Sequence, residues 1–184
     1  MQIGEFISGH HYVLCICEGR AEEDLINYLL ENDLLIFKRQ DLLFEKITRT
    51  RAVKKIQDEF LSLYFEKPVI IIRIVDSKNE KFKLDAVYED RYKDKVFNII
   101  TRPEIEILIV IKKGDYGRYS RKHKSKNKPS EFCQAEYGIK NIKSIGRFIC
   151  EFENVEQILD AIKTYKSLTN YKELSLSDLL NKDV

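Results

Sequence analysis

The 184-residue chain has no tryptophan, one methionine, three prolines and seven glycines. So few turn-forming residues argue against a β-sandwich, whose many short strands each need a turn signal. No apolar run approaches the ~18 residues of a membrane-spanning helix. No glycine pattern that cradles phosphates is present, which disfavours a P-loop or dinucleotide enzyme. Neither sign of charge dominates: Lys and Arg total 32 and Asp and Glu 30, a net of +2, so partners must be read from where charges cluster. Cys15, Cys17, Cys133 and Cys150 sit in no secreted framework and are read as small apolar side chains in a reducing compartment. Residues 1–6 lack the charged start and apolar core of a signal peptide, so a cytoplasmic protein is expected. What is present is a 43% hydrophobic chain with several apolar runs, enough for the core of one domain with a small appendage.

The stretch from Tyr12 to Glu23 organises the chain. The apolar run Tyr12–Cys17 stops at Glu18 and Gly19, and an amphipathic run through Leu25, Ile26, Leu29 and Leu30 follows. This pattern predicts a buried strand, a tight turn and a helix. Glu18 falls at the carboxyl end of the strand, where open α/β sheets bind ligands. Glu22 and Glu23 fall in the first helical turn, where acids complement the helix dipole. That explanation does not reach Glu18, which precedes the helix.

Further along, Leu34–Phe37 reads as a second strand and Ile47–Glu66 as a helix ended by Pro68. Val69–Val75 is a nearly continuous β-branched run, as expected of a central parallel strand, and Asp76 follows it. A helix over Leu84–Lys93 and a fourth strand at Val96–Ile100 come next. Thr101 and Glu104 have capping-box spacing and Pro103 suits a helix start, so 103–111 reads as a helix, with a fifth strand the alternative. A helix over Pro129–Tyr137 closed by Gly138, an extended piece within 142–152, a helix over Val155–Leu168 and a short capped helix at 174–180 complete the chain.

Residues 112–130 are strongly basic. Arg118, Arg121, Lys122, Lys124, Lys126 and Lys128 lie within eleven positions, with Tyr116 and Tyr119 beside them. A solvated loop is one reading. The concentration of charge favours the other, an arm that contacts the phosphates of RNA or DNA.

Three segments thus place acids at one expected sheet edge: Glu18 with Glu22, Asp76, and Glu104 with Glu106. Oxygen-rich sites of this kind suit Mg²⁺ or Mn²⁺. An apolar strand ending in Glu18-Gly19 with Glu22 following, a second ending in Asp76, and Pro103-Glu104-Ile105-Glu106 before apolar residues resemble the TOPRIM family. That family includes topoisomerases, bacterial primases, ribosomal-RNA maturases and overcoming-lysogenization-defect nucleases. The resemblance covers residues 12–111. It implies an α/β fold with a mostly parallel sheet of about four strands flanked by helices. The TOPRIM-like core would be 1–111, and the basic loop with a helical C-terminal extension, 112–184, would pack on it. It implies a Mg²⁺- or Mn²⁺-dependent nuclease. Glu18 and Asp76 would be catalytic, and Glu18, Glu22, Asp76, Glu104 and Glu106 would be ligands, with Glu104 divided between capping and ligation. One departure stands out: Lys78 occupies the place of the family's second aspartate, either substituting for a second metal's charge or marking a degenerate, non-catalytic binding module. By analogy with other small TOPRIM-like proteins, a role in anti-phage defence is expected, with a partner protein and self-association left open.

Overall fold

The computed structural model describes residues 3–7, 10–77, 79–124, 126–169 and 172–182. Its centre is a three-stranded sheet of β1 (Tyr12–Cys17), β2 (Val69–Val75) and β3 (Val96–Ile100), in that order and all parallel. The seven consecutive buried residues of β2 explain its place in the middle. The register pairs Cys17 with Ile74 and Val75 with Ile100, so the three carboxyl ends lie side by side.

Two apolar layers cover the sheet. Side chains alternate along a strand, so Val13, Cys15, Cys17, Ile70, Ile72, Ile74 and Ile99 share the larger layer. Helices α1 (Ile3–Ile7), α2 (Arg20–Glu31), α5 (Ile107–Lys112) and α8 (Val155–Leu168) fill it with Ile3, Ile7, Leu25, Ile26, Leu29, Leu108, Ile109, Ile158 and Ile162. Leu14, Ile16, Val69 and Ile71 face the smaller layer with Ile56, Leu61 and Tyr92 from α3 (Val53–Ile56), the turn after it and α4 (Ala86–Tyr92). Each fully buried Leu or Ile contributes about 1.5–3 kcal/mol. Cys15 and Cys17, two positions apart, lie on one face as free thiols, buried like Cys133, while Cys150 is exposed. Residues from both 12–111 and 129–180 share the larger layer, so the C-terminal part is joined to the sheet by core packing.

Several expectations need correction. The sheet has three strands among the described residues, not four. Leu34–Phe37 forms only an isolated antiparallel bridge, Leu35 with Leu180, in which the Ile36 N–H donates to Leu179 O and the Asn181 N–H to Leu34 O. Its apolar side chains, Leu35 and Phe37, are buried without a ladder beside them. The helix expected over 47–66 is confined to α3 and a π-helical turn, Gln57–Leu61. Residues 47–52 instead run along the outer edge of β1: the Thr48 N–H donates to Cys15 O (3.0 Å) and the Cys17 N–H to Thr48 O (2.9 Å). Backbone pairing with an otherwise open strand edge outweighs helix propensity here. The helix expected at 103 starts at Ile107, behind a cis Arg102–Pro103 bond, and no capping box forms, because the Thr101 hydroxyl donates to Val75 O and Glu104 is engaged elsewhere. The basic stretch is not a free loop: Tyr116–Lys122 is helix α6, docked through buried Tyr119. Residues 142–152 form turns and a short 3₁₀ helix, not an extended piece. The helices α7 (Pro129–Tyr137), ended by Gly138 in the left-handed conformation, and α8, capped by the Asn154 side chain, stand as expected.

Candidate functional site

The carboxyl ends of β1 and β2 deliver two acids to one place. Glu18 follows β1, and its N–H donates to Ile74 O, extending the ladder by one step. Asp76 follows β2, and its N–H donates to Glu18 Oε2 at 2.9 Å. The other Glu18 oxygen accepts from Arg51 at 2.8 Å. Gly19 then caps α2 in an extended conformation. A Cβ on Gly19 would stand 2.7 Å from Glu22 Oε2, so glycine is what lets the Glu22 carboxylate fold back over the helix start. Glu22 is therefore nearly buried at the cleft wall, which helix-dipole complementarity alone does not require.

The turn before α5 brings two more acids. Glu104 accepts from the Ser130 hydroxyl (2.7 Å), from the Ser130 N–H (3.3 Å) and from Lys143 Nζ (3.0 Å), with Lys128 Nζ at 3.6 Å. Glu106 is 2% exposed. Together Glu18, Glu22, Asp76, Glu104 and Glu106 line one cleft of about 210 Å³, facing Arg20, Arg51, Lys128 and Lys143. All five acids read from the sequence are thus brought together. Lys78 lies outside the described residues.

Electrostatics divide the five. Burial raises the Glu22 carboxyl above its usual range, with the charges of Glu18 and Asp76 adding to it. Burial likewise raises Asp76, helped by its neighbour Glu18. Burial pushes Glu106 furthest, to about 7, and the charge of Glu104 contributes. Burial would raise Glu104 too, but the hydrogen bonds from Ser130 and Lys143 and the lysine charge outweigh it and hold Glu104 low. The cleft therefore contains two carboxylates with cationic partners, Glu18 with Arg51 and Glu104 with Lys143, and three that burial raises.

The basic residues read as an arm are dispersed. Arg118 is tied to Asp115 (3.1 Å) and Glu136 (2.7 Å), and its guanidinium lies over the Phe132 ring. Arg121 donates to Gly117 O within α6. Lys122, Lys124 and Lys126 point to solvent away from the lining of the cleft, and Lys128 alone of the six reaches it. Arg51, Lys143 and Ser130, which contact the acids, were not legible as site residues. Arg51 lies in a stretch whose spacing mimics a helix, and Lys143 in a polar turn without periodicity.

The cleft's donors toward a metal are all carboxylate oxygens, the set that suits Mg²⁺ or Mn²⁺. Glu18, Glu22, Asp76 and Glu106 fit such an ion, because three of them are raised by burial and by neighbouring acids. Glu104 fits it less well, since a lysine ammonium already holds the position a cation would take. Among the described residues no three acidic, histidine or cysteine side chains stand close enough to enclose an ion without side-chain movement. No helix among the described residues is long and apolar enough to cross a membrane. Comparison with protein-family models, curated proteins and solved structures gives no match.

Proposed function

We propose that this chain is a TOPRIM-like, divalent-metal-dependent nuclease acting on RNA or DNA phosphodiesters. The observation that carries the reading is the meeting of Glu18 and Asp76 at adjacent parallel strand ends, joined by a backbone hydrogen bond, with Glu22 and Glu106 in the same cleft. Glu18, Asp76 and Glu22 are the residues to hold Mg²⁺ or Mn²⁺, with Glu106 behind them. A bound ion of that kind activates water and stabilises charge on a phosphodiester transition state. The protein's own contribution is positional. The Asp76 N–H fixes one Glu18 oxygen, leaving the other to exchange its Arg51 partner for a ligand. Glu106, poised near neutrality, can hold or release a proton at the cleft wall. Lys128 and Lys143 place positive charge where a phosphate would sit.

The test is cleavage of single- and double-stranded RNA and DNA with Mg²⁺ or Mn²⁺, in wild type, Glu18→Gln and Asp76→Asn. Loss of cleavage in both variants with binding retained supports the reading. A second reading, a binding module without catalysis, is favoured by one feature: both Glu18 oxygens and both Glu104 oxygens already have protein partners. Salt-dependent binding with no cleavage by the wild type in either metal selects it.

A further inference from the structure

The outer edge of β1 carries a second surface beside the cleft. Residues 47–52 run along that edge, held by the two Thr48 backbone hydrogen bonds. Their side chains, with Lys55, line a shallow open depression of about 550 Å³ that shares Arg51 with the acidic cleft. Arg49 and Arg51 both reach acids at the junction of β1 and α2. Arg49 Nε meets Glu23 at 3.0 Å and Arg51 meets Glu18 at 2.8 Å. Each guanidinium carries five N–H donors in a fixed fork, and these side chains remain 47% and 53% exposed.

The chemistry of this depression is one-sided. Arg49, Arg51 and Lys55 supply cations, Lys55 in an exposed pair with Glu59 at 3.6 Å, and Thr48 and Thr50 hydroxyls, the first accepting from the Thr50 N–H, while the one acid in the lining, Glu23, is already shared by Arg20 and Arg49. Three cations grouped beside hydroxyls, with Glu23 already paired, suit a ligand rich in anionic oxygens. A surface that continues into the cleft suits a polymer of them. Arginine forks match phosphate oxygens bidentately.

We infer that the segment Thr48–Lys55 is the rail along which a nucleic-acid backbone enters the cleft, Arg49, Arg51 and Lys55 binding the phosphates that flank the one at Glu18 and Asp76. The rail rests on the nuclease reading for its direction, not for its chemistry. It also assigns phosphate binding to a segment that borders the cleft, through the shared Arg51, rather than to the basic stretch 118–126, which lines neither surface.

The experiment is fluorescence anisotropy of a labelled single-stranded oligonucleotide, as DNA and as RNA, over a range of salt with Ca²⁺ in place of Mg²⁺. Two variants are compared with wild type: Arg49→Gln/Lys55→Gln, and Arg121→Gln/Lys122→Gln/Lys124→Gln. Each lost phosphate contact lowers the slope of log affinity against log salt by about one. The rail variant should lose about two units of slope. Between ~50 and ~200 mM salt its affinity should then fall about tenfold less than that of the wild type. An unchanged slope there, or a loss confined to the second variant, overturns the rail, as does a wild type that binds neither nucleic acid. Cleavage with Mg²⁺ is read separately: slope loss in the rail variant without cleavage by the wild type sinks the nuclease reading and leaves the rail standing.

Discussion

Glu104 and Glu106 are two positions apart and both buried, yet their carboxyl groups shift in opposite directions. The difference lies in partners: Glu104 has Ser130 and Lys143, whereas the largest influence on Glu106 is burial itself. Glu106 rises from the usual 4.5 to about 7, so between those values the folded chain binds a proton that the unfolded chain has released. Stability from this group is present below 4.5 and is lost as pH rises through 7. Glu106→Gln should remove that loss: its melting temperature should exceed the wild type's at about pH 8 and approach it at about pH 5. A constant difference across pH would place the titration elsewhere. Glu104 has the opposite sign, since its depressed carboxyl stabilises above the ordinary glutamate range and loses the effect as pH falls through its folded value. Lys143→Met should therefore cost about 1 kcal/mol near neutrality, a charge-assisted hydrogen bond discounted for the lysine's exposure to solvent. Urea denaturation should show that cost shrinking in acid.

At the scale of elements, the segment 47–52 decides what β1 can do. It occupies the strand edge that would otherwise be open and holds Arg51 against Glu18. Thr48→Pro deletes the N–H that donates to Cys15 O and should destabilise the chain by about 2 kcal/mol. The urea midpoint reads that loss, and affinity for an oligonucleotide should drop with it. A Pro variant as stable as wild type would make the edge pairing incidental. The same segment shows where sequence reading stops. Val53, Ile56, Phe60 and Leu61 have helical spacing, and the π turn satisfies that pattern in part; the pairing of Thr48 with β1 is non-local and leaves no trace in spacing. Leu34–Phe37 fails for a related reason, because its partner, Leu180, is remote in sequence. By contrast, β1, β2 and α8 were legible because burial on both faces of a strand, or on one face of a capped helix, is written in residue order. The five acids were legible for the same reason, each lying just beyond an element that periodicity identifies. Their cationic partners Arg51 and Lys143 reach the cleft from irregular segments, so only tertiary packing reveals them.

On the scale of the whole molecule, three carboxyl groups with raised pKa in one cleft make its charge a property of the fold's stability as well as of its chemistry. Deprotonating Glu22, Asp76 and Glu106 together places like charges beside one another in a partly desolvated space, and the folded state bears that cost as pH rises. A divalent cation bound there would offset it, and binding would release the protons still held. Stabilisation by a ligand that binds only the folded chain grows with its concentration, reaching about 2.7 kcal/mol at a hundred times the dissociation constant. Mg²⁺ or Mn²⁺ should therefore raise the melting temperature more at about pH 8 than at about pH 5.5, where Glu106 is protonated. The shift should largely vanish in Glu18→Gln/Asp76→Asn, which removes two of the charges while preserving side-chain size. A metal-induced shift that is equal at both pH values, or that survives in the double variant, would locate cation binding away from the strand ends. Because no nucleic acid takes part in this measurement, it tests the cleft's affinity for metal independently of cleavage and of the rail at residues 48–55.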